Sequence, residues 1–206
     1  MSVTKTLIIT LSIALASHAA FKYLYKKKPK KRKEINDVIM FSNKSGDLKP
    51  SKYLKHQTTE NIERLLHYLN QPRYSLDICM YVLTNTDITN AILKQHYRGV
   101  KVRVIVDPDM AFTSGSTVKR LEKQGIPVRW MKSTDIMHHK FCIIDALGGE
   151  AVTPFVMTGS LNWTTQALYK NWENLLITSE REIVEPYSRE FERLWLEFRP
   201  IVRIGK

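Results

Sequence analysis

The sequence contains few cysteines and few residues that break regular structure. Its 206 residues include only two cysteines, Cys79 and Cys142, together with eight glycines and eight prolines. Two cysteines are too few for a disulfide framework or a cysteine-rich zinc site, so we expect two buried thiols in a reducing compartment. A composition of 43% hydrophobic and 25% charged residues excludes a collagen-like or a disordered chain.

Beyond its amino-terminal segment the chain has no long apolar run, and that segment itself has no acidic residue. Residues 6–25 form the one long apolar run, which excludes a multi-span membrane protein. Residues 1–33 contain no acid but nine of the 32 basic residues. The remaining 23 basic residues (32 less nine) are nearly balanced by 20 acidic ones. The net charge of +12 therefore belongs mostly to the amino-terminal segment.

The apolar run predicts a membrane anchor. It is about as long as one spanning helix, and seven basic residues follow it whereas only Lys5 precedes it. A cleavable signal peptide is the alternative, and this charge distribution favours a retained anchor with the linker and the domain in the cytosol. We divide the chain into a short segment at 1–5, an anchor at 6–25, a basic linker at 26–35 and a folded domain at 36–206.

The folded domain alternates between strand-like and helical patterns without an internal repeat. This alternation predicts an α/β domain with one mixed sheet between helical layers. The predicted strands are 37–41, 76–83, 102–106, 128–131, 140–145, 154–158 and 173–178. The predicted helices are 58–70, 87–98, 116–124 and 182–198. In the last helix, we expect an apolar stripe to face the core, formed by Ile183, Tyr187, Phe191, Leu194, Trp195 and Phe198.

Three polar elements that follow one another carry the candidate chemistry. His138 and Lys140 are two apart where a predicted strand begins, so in an extended chain they share one face. A neutral imidazole can attack phosphorus while an ammonium offsets charge on the phosphate oxygens. Ser160 and Asn162, also two apart, are placed to donate hydrogen bonds to the same phosphate. Glu173 opens the next strand and is placed to hold the histidine ring in one tautomer.

The pattern HxKxxxxD over His138–Asp145, followed by GSxN over Gly159–Asn162, resembles the signature of the phospholipase D superfamily. A single copy behind an apolar segment and a basic linker is similar to one branch, the mitochondrial cardiolipin hydrolases, also called Zucchini endonucleases. The resemblance covers about residues 36–200. It implies a catalytic set of His138, Lys140 and Asp145, in which His138 forms a phosphohistidine and Asp145 supports the motif structurally. By the same resemblance Lys140 and Asn162 bind phosphate beside Ser160, and Glu173 orients His138.

The resemblance also implies an activity, a substrate and a location. It predicts a phosphodiesterase that needs no metal or other cofactor, and most closely an endoribonuclease acting on single-stranded RNA. Such an enzyme would act in the production of small silencing RNAs (piRNAs) at the mitochondrial outer membrane, with its domain facing the cytosol, and would leave 5′-phosphate ends. Hydrolysis of cardiolipin to phosphatidate is the alternative, which we rank second because no exposed apolar loop is evident beside the motif. An RNA-binding scaffold tethered to the membrane, without catalysis, is the alternative of another class.

In-line displacement predicts a homodimer. The leaving oxygen lies opposite the attacking nitrogen, so one imidazole cannot both attack and protonate the departing group. The neighbouring His139 faces the other side of the strand. A second His138 from a twofold-related chain is therefore expected to supply the proton, and the family's dimeric habit implies the same.

Two further features carry alternatives. A strand that ends in Asp107-x-Asp109 is similar to the nucleophile loop of magnesium-dependent phosphatases, or it is simply a polar loop. Trp163 is placed either to stack a base or to pack beneath the motif. Some relatives carry a cysteine-histidine zinc module, but no cysteine precedes Cys79, so we expect no zinc. The candidate basic rim around the site consists of Lys52, Lys55, Arg98, Arg129, Lys132 and Lys170.

Overall fold

A computed structural model describes residues 3–24, 34–42, 52–131, 134–149 and 152–200. The chain divides into two units, residues 1–32 and 33–206. The first unit contains the helix α1 (Val3–Leu24), and most of the predicted basic linker at 26–35 lies outside the described residues. No helix in the described part of the chain is both long and apolar enough to cross a membrane. The membrane anchor predicted at 6–25 is therefore not supported, and polar side chains do interrupt this run at Ser12, Ser17, His18 and Lys22.

The second unit contains one eight-stranded mixed sheet within the described residues, which confirms the predicted α/β class. The strands lie in the order β1-β7-β6-β5-β2-β3-β4-β8. Only β2, β3 and β4 are mutually parallel, and the other neighbours pair antiparallel. Their bounds are β1 Asn36–Phe41, β2 Ser75–Met80, β3 Lys101–Val106, β4 Val128–Trp130, β5 Lys140–Ile144, β6 Phe155–Gly159, β7 Glu173–Thr178 and β8 Arg199–Pro200.

Six helices of this unit are described: α2 Lys52–Leu69, α3 Thr86–Tyr97, α4 Pro108–Ala111, α5 Val118–Lys123, α6 Thr165–Tyr169 and α7 Arg181–Glu197. All four predicted helices are present, but α2 begins well before the predicted start at Thr58. The sequence did not predict α4, α6 or β8, which have four, five and two residues. Such short elements do not display a full period of apolar residues, so pattern reasoning cannot detect them.

Two apolar clusters cover the two faces of the sheet. The larger cluster joins α2 and α3 to one face, and the smaller one joins α7 to the other. β2 lies between them and is buried along its whole length, including its polar residues Ser75 and Asp77. The predicted stripe on α7 is correct at Phe191, Leu194 and Phe198, which are buried. It is wrong at Ile183, which is 37% exposed, because the helix directs Val184 into the core instead.

The strand register brings several chain segments to one edge of the sheet. Met80, the last residue of β2, pairs with Lys140, the first residue of β5. The last residue of β6, Gly159, pairs with Leu175 near the start of β7. The carboxyl ends of β2, β3 and β6 therefore lie beside the amino ends of β5 and β7. We refer to this edge as the site edge, because it carries the polar motifs found in the sequence.

Candidate active site

His138 and Lys140 are in direct contact at the site edge. The ammonium nitrogen Nζ of Lys140 lies 3.1 Å from Nε2 and 3.3 Å from Nδ1 of His138, and 3.0 Å from its carbonyl oxygen. The imidazole is exposed, whereas Lys140 is half-buried. Burial lowers the pKa of Lys140, and the nearby charge of Glu173 raises it in part. The pair thus presents an exposed nucleophile to solvent, with a partly desolvated cation next to it.

Tyr81 is a member of this site that the sequence did not predict. Its ring meets the ring of His138 edge to face, with centroids 4.6 Å apart, and Nζ of Lys140 lies 5.2 Å from the centre of the same ring. The Tyr81 N–H also donates to the His139 carbonyl at 2.9 Å. Tyr81 directly follows β2, the neighbour of β5 in the sheet. Tyr81 could have been predicted as a site residue if β2 and β5 were known to be neighbours, but the sequence does not give the order of the strands in the sheet.

Glu173 lies in the same site but hydrogen-bonds to residues other than His138. Its carboxylate accepts from the Ser160 hydroxyl at 2.5 Å and from the Asn171 side chain at 2.9 Å. Among the described residues no hydrogen bond joins Glu173 to His138. The physical reason is the strand order, because β6 separates β5 from β7 and adds about 10 Å between them. Glu173 is therefore positioned to orient Ser160, and it affects Lys140 through charge.

The Gly-Ser-x-Asn segment alternates between the core and the site. Leu161 and Trp163 are buried, while Ser160 is exposed and Asn162 is half-buried. The Asn162 Oδ1 atom is buried without a hydrogen-bond partner in the described structure. The absence of a side chain at Gly159 is required, because a Cβ there would lie 2.1 Å from the Asn174 carbonyl oxygen. Close approach of β6 to β7 thus explains the glycine, and it lets the Asn174 N–H donate to the Ser160 hydroxyl.

Asp145 is far from the other motif residues. It follows β5 and therefore lies at the opposite edge of the sheet, about 20 Å of extended chain from His138. Its buried carboxylate accepts hydrogen bonds from the backbone N–H groups of Arg73, Tyr74 and Ser75. Its backbone has a φ of 59°, in the left-handed region. This geometry fits structural support of the motif and places Asp145 outside the set of groups that could touch a substrate.

The Asp107 loop has a structural role in this fold. One carboxylate oxygen of Asp107 accepts from the N–H groups of Asp109 and Met110, and caps α4. The other accepts from the N–H of Met137 at 3.0 Å, which fixes the residue before His138. No group of three or more metal-ligating side chains occurs among the residues described. Both carboxylate oxygens of Asp107 therefore hold the backbone around α4 and before His138. This structural role differs from that of the phosphatase nucleophile that the sequence offered as an alternative.

His139 faces away from His138, as the sequence predicts. Its ring lies 3.5 Å from the Glu190 carboxylate of α7, on the other side of the sheet. Trp163 is 1% exposed and packs beneath the motif, so it has no free face for a base. Its backbone binds the Val82–Asn85 segment through three hydrogen bonds, which links the Gly-Ser-x-Asn segment to the residues after β2.

The predicted basic rim is only partly at the site edge. Lys170 is exposed on the loop between α6 and β7. Arg98 lies at the carboxyl end of α3, toward the opposite edge. Arg129 lies over the ring of Trp195, 4.2 Å from its centroid, and hydrogen-bonds to the Trp195 carbonyl. The side chains of Lys52, Lys55 and Lys132 lie outside the described residues.

Comparisons with known proteins identify the relatives of this chain. Residues 65–195 match the family described as cardiolipin synthase, PLD-like domain. A protein named mitochondrial cardiolipin hydrolase from Xenopus tropicalis is 37% identical over 195 residues, covering 91% of this chain and 87% of its own. A human protein of the same name is 42% identical over 139 residues, covering 68% and 52%. A third, from Drosophila melanogaster, is 29% identical over 230 residues, covering 95% and 90%.

Solved structures show the same fold. NucT from Helicobacter pylori has a TM-score of 0.65 at 23% identity, covering 82% of this chain and all of that one. The phospholipase D family member Nuc from Salmonella typhimurium has a TM-score of 0.64 at 22% identity, covering 81% and 99%. The match extends over nearly the whole of both neighbours, so the described domain shares their fold.

Proposed function

This chain belongs to the phospholipase D-like family, and we propose that it hydrolyses phosphodiester bonds through a covalent intermediate on His138. The observation that carries the proposal is the contact between the exposed His138 imidazole and the Lys140 ammonium. A ring nitrogen of His138 attacks phosphorus, which forms an N–P bond and breaks the bond to the leaving oxygen. Water then cleaves the N–P bond and frees the histidine, so no net oxidation or reduction occurs.

The site residues stabilise charge while this exchange takes place. Lys140 offsets the negative charge on the equatorial oxygens, and its half-buried position strengthens that attraction. Asn162 donates to the phosphate beside Lys140. Ser160 is oriented by Glu173, and Tyr81 limits the positions that the His138 ring can adopt.

The leaving oxygen needs a proton from the side opposite the attacking nitrogen. His139 lies on the other face of the sheet and contacts Glu190, so it does not supply that proton. We therefore propose a homodimer in which His138 of one protomer attacks and His138 of its twofold-related copy protonates the leaving group.

We propose single-stranded RNA as the substrate. The histidine is exposed at an open edge rather than at the bottom of a closed cavity, which suits a long polymer. Trp172, immediately before Glu173, is 70% exposed, and Tyr169 at the end of α6 and Lys170 on the same loop as Trp172 are exposed as well. Aromatic rings and a cation beside a phosphodiesterase site are the groups that bind unpaired bases and their backbone. By resemblance, the products would be small silencing RNAs with 5′-phosphate ends.

Cardiolipin is the second candidate substrate, with a specific observation in its favour. Several relatives are named mitochondrial cardiolipin hydrolase, which also supports a mitochondrial location for this chain. No exposed apolar loop was expected beside the motif, and the structure does expose one apolar side chain there. Ile136, two residues before His138, is 59% exposed. Together with Trp172 it gives the site edge apolar groups that a lipid could contact.

Parallel turnover assays distinguish these functions. The full chain and its His138→Asn variant would be given labelled single-stranded RNA or cardiolipin vesicles, each with and without EDTA. We expect cleavage of RNA that EDTA does not affect and that His138→Asn lowers by more than about 10³-fold. Transfer of the substrate's labelled phosphate to the protein with intact His138, in a linkage that acid cleaves and base does not, would identify the phosphohistidine. Cleavage of lipid alone would select the second candidate, and RNA binding without any cleavage would select a non-catalytic scaffold.

A further inference from the structure

A positively charged groove lies between α3 and α5, outside the site already described. It has a volume of about 430 Å³, within the range of ligand-binding clefts. One wall is the outer stripe of α3, with Asn90, Lys94 and Arg98 exposed at spacings of four residues. The other wall is α5, with Arg120 and Gln124. Among the residues that the structure describes, three cations and no carboxylate line the groove.

These cations are not neutralised within the described structure. None of Lys94, Arg98 and Arg120 takes part in the ion pairs formed among the described residues. Neutral groups hold the two guanidinium groups in place instead. Arg120 donates to the Asn90 side chain at 2.7 Å, and Arg98 donates to the Gln95 side chain at 2.9 Å. Like charges held together without a counterion destabilise a helix surface, and an external anion would relieve that repulsion.

An aromatic ring lies among the same cations. Tyr97 lines the groove and is 65% exposed. Its hydroxyl donates to the Gln124 side chain at 2.7 Å, so the ring is held between the two helices. A fixed exposed ring beside several cations is the combination that binds single-stranded nucleic acid, since the ring stacks on a base while the cations contact phosphates. The phosphate headgroup of a lipid has no base that could stack on the Tyr97 ring.

The groove is connected to the active site through α3. That helix begins directly after Asn85, whose N–H bonds to the Trp163 carbonyl next to Asn162. The wall of the groove that carries Lys94 and Arg98 begins at Asn90, one turn further along the helix, and extends for about 12 Å to Arg98. The helix packs on the same face of the sheet toward which His138 and Lys140 point. An RNA strand bound at the active site can therefore continue along the outer surface of α3.

We infer that the α3–α5 groove binds the backbone of single-stranded RNA outside the cleavage site. The inference extends the proposed function, but binding is measured without catalysis. The test uses the full chain carrying His138→Asn and a fluorescent single-stranded RNA, with anisotropy recorded at several salt concentrations. The test variant adds Lys94→Ala and Arg120→Ala. The matched control adds Arg181→Ala and Arg189→Ala, which remove the same charge from α7 on the other side of the sheet.

We expect the groove variant to bind RNA about tenfold more weakly and to lower the slope of log affinity against log salt by about 1.4, as for two lost phosphate contacts. The control should stay within about twofold of the parent, and thermal melting should show that all variants fold. Equal affinity and slope in the groove variant and the control would overturn the inference. So would groove-dependent binding of cardiolipin vesicles with none of RNA. If the unmodified chain binds RNA through the groove without cutting it, the groove inference stands while the proposed nuclease activity fails.

Discussion

The Nζ atom of Lys140 is nearly equidistant from the two ring nitrogens of His138, at 3.1 Å and 3.3 Å. The ammonium therefore does not engage one nitrogen in preference to the other, and both ring nitrogens face a cation. Catalysis in this arrangement requires a charged Lys140 beside a ring nitrogen of the attacking His138 that carries no proton.

The pH profile should report the charge on Lys140. Burial lowers its pKa below the ordinary 10.5, so the alkaline limb of kcat/KM should fall below that pH. Glu173 partly raises the same pKa, so Glu173→Gln should shift the alkaline limb to lower pH. Glu182→Gln, on the exposed first turn of α7, should leave the limb unchanged. An alkaline limb that moves to higher pH in Glu173→Gln would contradict this coupling.

Asp145 should matter for stability and not for chemistry. Asp145→Ala leaves three backbone N–H groups without their acceptor and places alanine at a φ of 59°, so we expect a loss of about 2–4 kcal/mol in the free energy of unfolding. Asp145→Asn keeps an acceptor oxygen and tolerates this backbone conformation, so it should lose less. Urea denaturation measures both. At a temperature where each variant is folded, kcat should equal that of the parent, and a large loss of kcat would place Asp145 in the chemistry.

Gly159 should be intolerant of any side chain. A Cβ at this position would lie 2.1 Å from the Asn174 carbonyl oxygen, so Gly159→Ala must separate β6 from β7. We expect a loss of about 2–4 kcal/mol by urea denaturation and a fall in kcat, because Ser160 moves with the strand. Gly99→Ala is the control, since its Cβ meets open space and only the φ of 86° costs stability, about 1 kcal/mol. Equal effects of the two substitutions would contradict the close approach.

Trp172 should distinguish a polymer from a minimal substrate. Loss of one stacked base costs about 1–3 kcal/mol, so Trp172→Ala should lower kcat/KM for single-stranded RNA by about tenfold. Methyl 4-nitrophenyl phosphate has no base, and its turnover should not change. Leu196→Ala removes an equally exposed apolar side chain from α7 and serves as the control. A loss on cardiolipin vesicles but not on RNA would instead assign Trp172 to lipid contact.

Local patterns in the sequence predict the individual strands and the motif, but they do not predict which strands are neighbours in the sheet. His138 lies two residues before β5 begins at Lys140, and continuing the period of two of the strand is enough to bring the two side chains together. The proposed contact of Glu173 with His138 requires knowing that β6 lies between their strands, and that information is in the sheet order. Tyr81 enters the site for the same reason, because β2 pairs with β5 although 59 residues separate Tyr81 from Lys140. Composition could not decide between packing and exposure for Trp163 and Trp172, because burial depends on which layer covers each.

A mixed dimer should reveal whether two copies of His138 share one reaction. Differently tagged chains, one intact and one carrying His138→Asn, can be coexpressed and the doubly tagged dimer purified. If one histidine attacks and its copy protonates the leaving oxygen, the mixed dimer lacks one of two required groups, and we expect less than about a tenth of the intact activity. The matched control pairs an intact chain with a Leu196→Ala chain, which changes an exposed residue on α7 and should remain fully active. A mixed dimer with about half of the intact activity would mean that each protomer works alone, and a fully active monomer in sedimentation experiments would lead to the same conclusion.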